Sequence, residues 1–134
     1  QPQQARFGEE LKLLGYELEQ ERETVTLTLW WKALTAPETD YKRFVHLYDA
    51  ETETILVQDD AMPRDWQYPT TLWVEGEVVS ETIKLNLAGM PKGDYRLGVG
   101  WYDPETMDRL PITDPAGDRR SSDNRFTLES EIDN

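Results

Sequence analysis

The sequence predicts an all-β fold, with two antiparallel sheets of about eight strands packed as an immunoglobulin-like or jelly-roll-like β-sandwich. Three observations carry this. Apolar and polar residues alternate with period 2 along most of the 134 residues, turn-forming residues break the alternation at short intervals, and no stretch sustains a convincing 3.6-residue apolar stripe. A chain of this length makes one domain, 1–134, with 1–5 expected as linker and 130–134 as tail.

The first strand is LKLLGYEL, residues 11–18. Leu11, Leu14 and Leu18 have helical spacing, but Gly15 and the following Tyr16 weaken a helix there, so the segment is assigned to a sheet. TVTLTLWWKAL gives the clearest alternation: Val25, Leu27, Leu29 and Trp31 share the core face, Thr24, Thr26, Thr28 and Lys32 the wet one. In RFVHLYD, Val45 and Leu47 form one face while Phe44, His46 and Tyr48 make the other partly apolar, which predicts a strand covered on both sides. TILVQDD, 54–60, follows as a weaker strand. ETIKLNL turns Ile83, Leu85 and Leu87 inward, and GDYRLGVGWYD does the same with Tyr95, Leu97, Val99 and Trp101. DRLPIT, 108–113, and NRFTLES, 124–130, complete the set.

Composition narrows the function classes. Against 27 Asp and Glu stand 14 Lys and Arg, a net charge of −13 that repels phosphate backbones, so nucleic acid is not an expected partner. With no Cys, disulfides, thiolate nucleophiles and Cys-bound zinc are excluded, and one His, His46, rules out multi-histidine metal centres. No apolar run approaches the ~18 residues of a membrane span. QPQQARFGEE also lacks the charged-then-apolar layout of a signal peptide, so no membrane insertion by this chain is expected.

Catalysis finds few parts. His46 lies mid-strand, expected to pack between Phe44 and Tyr48, and no Ser sits in a nucleophile-elbow sequence. Among so many acids no carboxylate pair is singled out for glycoside hydrolysis. GVG in GVGWYD resembles a phosphate loop only superficially, because no helix follows it. No catalytic residue, metal or cofactor is assigned.

Two near-copies, DAETETIL from Asp49 and DPETMDRL from Asp103, raise the question of an acidic calcium loop. Asp103, Glu105 and Asp108 lack the alternating ligand spacing and the turn Gly such a loop needs. Each string is better read as a hairpin turn between strands. Such turns favour Gly at φ > 0 before the second strand, yet Glu53 and Met107 stand there, which predicts either two mildly strained left-handed residues or loops of another turn type.

The longest irregular stretch, AMPRDWQYPTTLWVEGE, is the place to look for binding. Sugars stack their C–H faces on indole and phenol rings, while carboxylates and amides take their hydroxyls. Trp66, Tyr68 and Trp73, with Asp59 and Asp60 beside them and Asp65 and Gln67 between, have that composition and are the candidate glycan contacts. Trp31 and Trp101 are assigned to the core by strand parity. Trp30, on the threonine face, would mark a covered sheet face or an interface.

The order of blocks LLGYEL, LTLWWKAL, DYKRFVHLYD, QDD, YPT..W..GE, PKGDYRLGVGWYDPET and RLPI resembles an extracytoplasmic β-sandwich domain of bacterial membrane proteins. It is similar to the C-terminal domain following the transmembrane helices of polyprenyl-phosphate-dependent glycosyltransferases of the mannosyltransferase type, over about Arg6 to Leu128. In that pattern Trp73 reads as a loop plug. The chain departs from it at two turn glycines, replaced by Glu53 and Met107, and at Glu21, Arg22 and Glu23, where Pro-Gly is usual. The resemblance implies a non-catalytic accessory domain on the outer side of a membrane, tethered through a parent protein whose catalytic carboxylates lie in its membrane portion. A glycan or that parent protein would then be the partner. A carbohydrate-binding module is the alternative, and a hydrolase is the third.

Overall fold

The computed structural model describes residues 2–64, 66–113 and 124–133. Nine strands run in order: β1 Pro2–Phe7, β2 Leu11–Glu21, β3 Thr24–Ala33, β4 Lys42–Asp49, β5 Ile55–Ala61, β6 Val78–Asn86, β7 Asp94–Tyr102, β8 Ile112–Thr113 and β9 Phe126–Asp133. They form an antiparallel five-stranded sheet, β6-β3-β2-β1-β8, facing an antiparallel four-stranded one, β5-β4-β7-β9. Regular structure outside the strands, among the described residues, is one 3₁₀ turn at Thr70–Leu72. No helix there is long and apolar enough to cross a membrane.

Register explains the core. Leu27 pairs with Leu18 and Ile83, Leu29 with Tyr16 and Glu81, and Trp31 with Leu13 and Val79, so the inward rows of β2, β3 and β6 coincide. Opposite them stand Val45, Leu47, Tyr95, Leu97, Val99 and Trp101, all buried as their parity predicted. Trp31 lies edge-on between Phe7 at 5.5 Å and Trp101 at 4.9 Å, and Trp73 meets Trp101 at 6.0 Å and 90°. Each such ring removes enough apolar surface from water to contribute about 1.5–3 kcal/mol.

The expected sandwich of about eight strands stands, with nine, and three expectations of extent are corrected. Most of the expected linker, 1–5, belongs to β1, whose Ala5 and Phe7 are buried and pair with Leu13 and Leu11. The expected tail belongs to β9 as far as Asp133, with Ile132 buried opposite Tyr95. DRLPIT is a strand only at Ile112–Thr113. Its first part crosses between sheets: Arg109 bridges to Tyr102 of one sheet, the Pro111 carbonyl accepts from Gly8 N–H at 2.7 Å, and Ile112 pairs with Phe7 of the other. Pro111 has no N–H to give, which fits a crossover better than a ladder. Within β2 a bulge between Leu13 and Gly15 re-phases the strand, so Leu11, Leu13 and Tyr16 all face inward.

The sandwich edge between β4, β5 and β6 is closed by charge. Arg43 gives Nε and Nη2 to the two Glu81 oxygens, each at 3.0 Å, and Nη1 to Asp59 Oδ1 at 2.9 Å. Trp31 Nε1 donates to the same Glu81 at 3.0 Å. Neither Arg43 nor Glu81 is exposed, and sequence parity alone could not name them as partners.

Candidate ligand-binding face

The outward side of β4 is the unusual surface of the molecule. Lys42, Phe44, His46 and Tyr48 point away from the core and stand opposite Tyr102, Gly100, Gly98 and Arg96 of β7. On the other flank, Asp60 is opposite Phe44 and Gln58 opposite His46. The expectation of a strand covered on both faces holds, since Phe44, His46 and Tyr48 are all buried.

Glycines make the cover possible. A Cβ on Gly98 would come within 2.6 Å of the Arg125 side chain, and one on Gly100 would collide with the Phe44 ring. GVG therefore has a packing reason: it lets a ring and a guanidinium lie flat across β7. Arg109 holds its Cζ 4.5 Å from the Phe44 ring centroid, and Arg125 3.9 Å from that of Tyr48.

Between these groups a cavity of about 250 Å³ opens on the sheet face, lined by Phe44, His46, Ile55, Gln58, Asp60, Tyr102, Met107 and Arg109. His46 stacks on Phe44 at 4.6 Å, and its Nδ1 lies 3.4 Å from Arg125 Nη1. Burial, then the charges of Arg125 and Arg109, pull its pKa down to about 4. His46 is thus neutral near pH 7, and acceptance at Nδ1 leaves the proton on Nε2. Tyr102 donates its hydroxyl to Asp60 Oδ2 at 3.3 Å, and burial with that carboxylate raises the phenol pKa.

Both repeated turns feed this cavity, through Ile55 from one and Met107 and Arg109 from the other. They are built alike: Glu53 N–H donates to Asp49 C=O at 2.9 Å and Met107 N–H to Asp103 C=O at 2.7 Å, with φ of 61° and 65°. Both leading carboxylates serve the backbone, Asp49 Oδ1 accepting from Glu51 and Thr52 and Asp103 Oδ1 from Glu105. No group of three His, Asp or Glu among the described residues could hold a metal ion. Met107 combines left-handed backbone with 68% exposure at the cavity rim.

The five residues expected to contact glycan do not gather. Trp73 is 1% exposed, donates Nε1 to Tyr68 C=O at 3.1 Å, and plugs the core, so it is no contact. Tyr68 packs on it at 6.3 Å and gives its hydroxyl to Glu77 at 2.6 Å. Asp59 and Asp60 are sequence neighbours on a strand and so face opposite ways: Asp59 goes to Arg43 at the sandwich edge, Asp60 to the cavity. Trp66, 49% exposed at φ 72°, has Lys42 Nζ 4.8 Å from its ring. Since Lys42 shares the outward parity of Phe44 and pairs with Tyr102, Trp66 belongs to the Tyr102 end of the same face. Asp65 lies outside the described residues. Trp30 is half-buried on the far side of the molecule, on the outer face of the five-stranded sheet.

Sequence reasoning missed Gln58, Tyr102, Met107 and Arg109. The available signal was the second apolar row of RFVHLYD together with Gly98 and Gly100 at the matching parity of β7.

No protein-family model and no curated protein matches the chain in sequence. In structure it is similar to the C-terminal domain of Wzt, over 99% of this chain and 86% of that one, at a TM-score of 0.55 and 12% identity. That likeness shows a shared β-sandwich fold. Looser similarity, at a TM-score of 0.43, extends to OgpA from Akkermansia muciniphila (10% identity, 98% of this chain, 27% of that one). A β-glucosidase from Kluyveromyces marxianus gives the same score at 11% identity, over 87% of this chain and 14% of that one.

Proposed function

We propose that this chain is a non-catalytic accessory domain that holds a saccharide on the outer face of its four-stranded sheet. The observation that carries the reading is the cavity itself, which Phe44 and Tyr102 line together with donors and acceptors from Gln58, Asp60, His46 and Arg109. Sugars need that mixture of apolar faces and fixed polar groups, in a shallow site that leaves the rest of a chain in water. Against catalysis, Asp60 is the one carboxylate among the described residues lining the cavity, and neutral His46 is hydrogen-bonded to an arginine and not to a nucleophile.

The finer reading is that the domain works on the extracytoplasmic side, tethered through a parent membrane protein of glycosyltransferase type. It is supported by the order of sequence blocks from LLGYEL to RLPI. A glycan array tests the binding. The chain should retain a saccharide class that Gln58→Ala and Asp60→Ala, both surface changes, weaken about tenfold, a loss of about 1.4 kcal/mol. An empty array, or variants that bind like the parent, would reject the reading.

A further inference from the structure

A donor and an acceptor without partners face each other across the cavity. His46 is buried, and with Nδ1 accepting from Arg125 its proton sits on Nε2, which has no hydrogen-bond partner among the described residues. Gln58 stands directly across the ladder from it. Gln58 gives Nε2 to Asp60 Oδ1 at 3.4 Å, and because a carboxylate only accepts, this fixes the amide with Oε1 as its free end. Both residues line the cavity. A buried N–H left unmet is costly, so the site favours a ligand that brings a carbonyl to His46. Beside these atoms the cavity is apolar. Ile55 and Met107 are 40% and 68% exposed and both line it, one from each repeated turn. A single exposed apolar side chain is ordinary. Two brought to one cavity by separate turns, one of them on left-handed backbone where glycine is cheaper, make a slot for a small apolar group. The same turns carry Asp49, Glu51, Glu53, Asp103, Glu105 and Asp108, which repel an acidic ligand and leave an uncharged one unaffected.

We propose that the saccharide held here carries an N-acetyl group, whose carbonyl accepts from His46 Nε2–H, whose N–H donates to Gln58 Oε1, and whose methyl enters between Ile55 and Met107. This rests on the saccharide reading above and adds the substituent that the face selects. A secondary amide supplies acceptor, donor and methyl on one planar group. A hydroxyl in its place has no methyl to bury, and a free amine is a cation with no acceptor to offer His46.

Calorimetry with oligosaccharides of N-acetylglucosamine, N-acetylgalactosamine and N-acetylmannosamine, each beside its hydroxyl and free-amine counterparts, tests the inference. At least one acetamido sugar should bind about tenfold more tightly than both counterparts. Most of that margin should be lost in Ile55→Thr and in Met107→Gln, both changes of exposed side chains. Val78→Thr, at an exposed apolar residue of the other sheet, should bind like the parent. In the complex, nuclear Overhauser contacts should join the acetyl methyl to the Met107 methyl. Hydroxyl or amine sugars that bind as well as their acetamido forms, or a margin untouched by both variants, would overturn the N-acetyl class and leave the saccharide face standing. Silence from all three sets would overturn that class too, and an empty glycan array beside it would overturn the saccharide face as well.

Discussion

At position 107 two costs coincide. A left-handed non-glycine residue carries about 1–2 kcal/mol of steric strain, and Met107 adds to it an exposed thioether at the cavity rim. Strain kept at a surface site calls for a local reason, and lining the cavity supplies one. Met107→Gly should therefore raise stability by about 0.5–1 kcal/mol, the relieved strain less the greater freedom of unfolded glycine, while weakening saccharide binding. Denaturant unfolding reads the first effect, and a loss of stability would contradict it. The left-handed geometry of Glu53 and Met107 was legible in the sequence, because a repeated turn string lacked glycine where the turn needs it. At Arg22 the hint was a turn lacking its usual Pro-Gly, whereas no repeat or turn motif flagged the same geometry at Arg64, Trp66 and Asn124.

Alternation told most of the strands and nearly all of the core residues, because a half-buried strand writes its burial into every second position. It failed where an element does something besides alternate. β1 is short and starts in a polar stretch, so its two buried residues, Ala5 and Phe7, were too few to register. DRLPIT looked apolar enough for a strand but spends its length crossing between sheets. Glu81 has the inward parity of Ile83 and yet is charged, and what makes that tolerable is Arg43, 38 residues away in the chain. Removing Glu81 leaves buried Arg43 with Asp59 as its remaining counter-charge and takes the acceptor from Trp31 Nε1, at about 3 kcal/mol, the low end for breaking a buried pair. Glu81→Ala should cost that much, and adding Arg43→Met should recover part of it. A single variant within 1 kcal/mol of the parent in urea unfolding would show that the β4–β6 edge does not depend on the pair.

Across the whole molecule the two sheets differ in what their outer sides offer. The five-stranded sheet shows water a threonine-rich surface, with Thr28 and Thr82 hydrogen-bonded to each other at 3.1 Å. The four-stranded sheet is layered instead: core, strand, a row of rings, and cations above them. That outer layering depends on contacts between β4, β7, the crossover at Arg109 and Arg125 just before β9, most of them distant in sequence, which is why the loop from Ala61 to Glu77 stood out for its aromatics and the sheet face did not. Of the loop's described residues, Trp66 meets the face through Lys42. The central claim, that this face is where a saccharide binds, is tested most directly by nuclear magnetic resonance of the labelled chain titrated with the saccharide the array selects. The account predicts shifts concentrated on Phe44, His46, Gln58, Asp60, Tyr102 and Arg109, with Trp66 at their margin. Shifts centred on Trp30 and the threonines of β3, or spread evenly over both sheets, would contradict it.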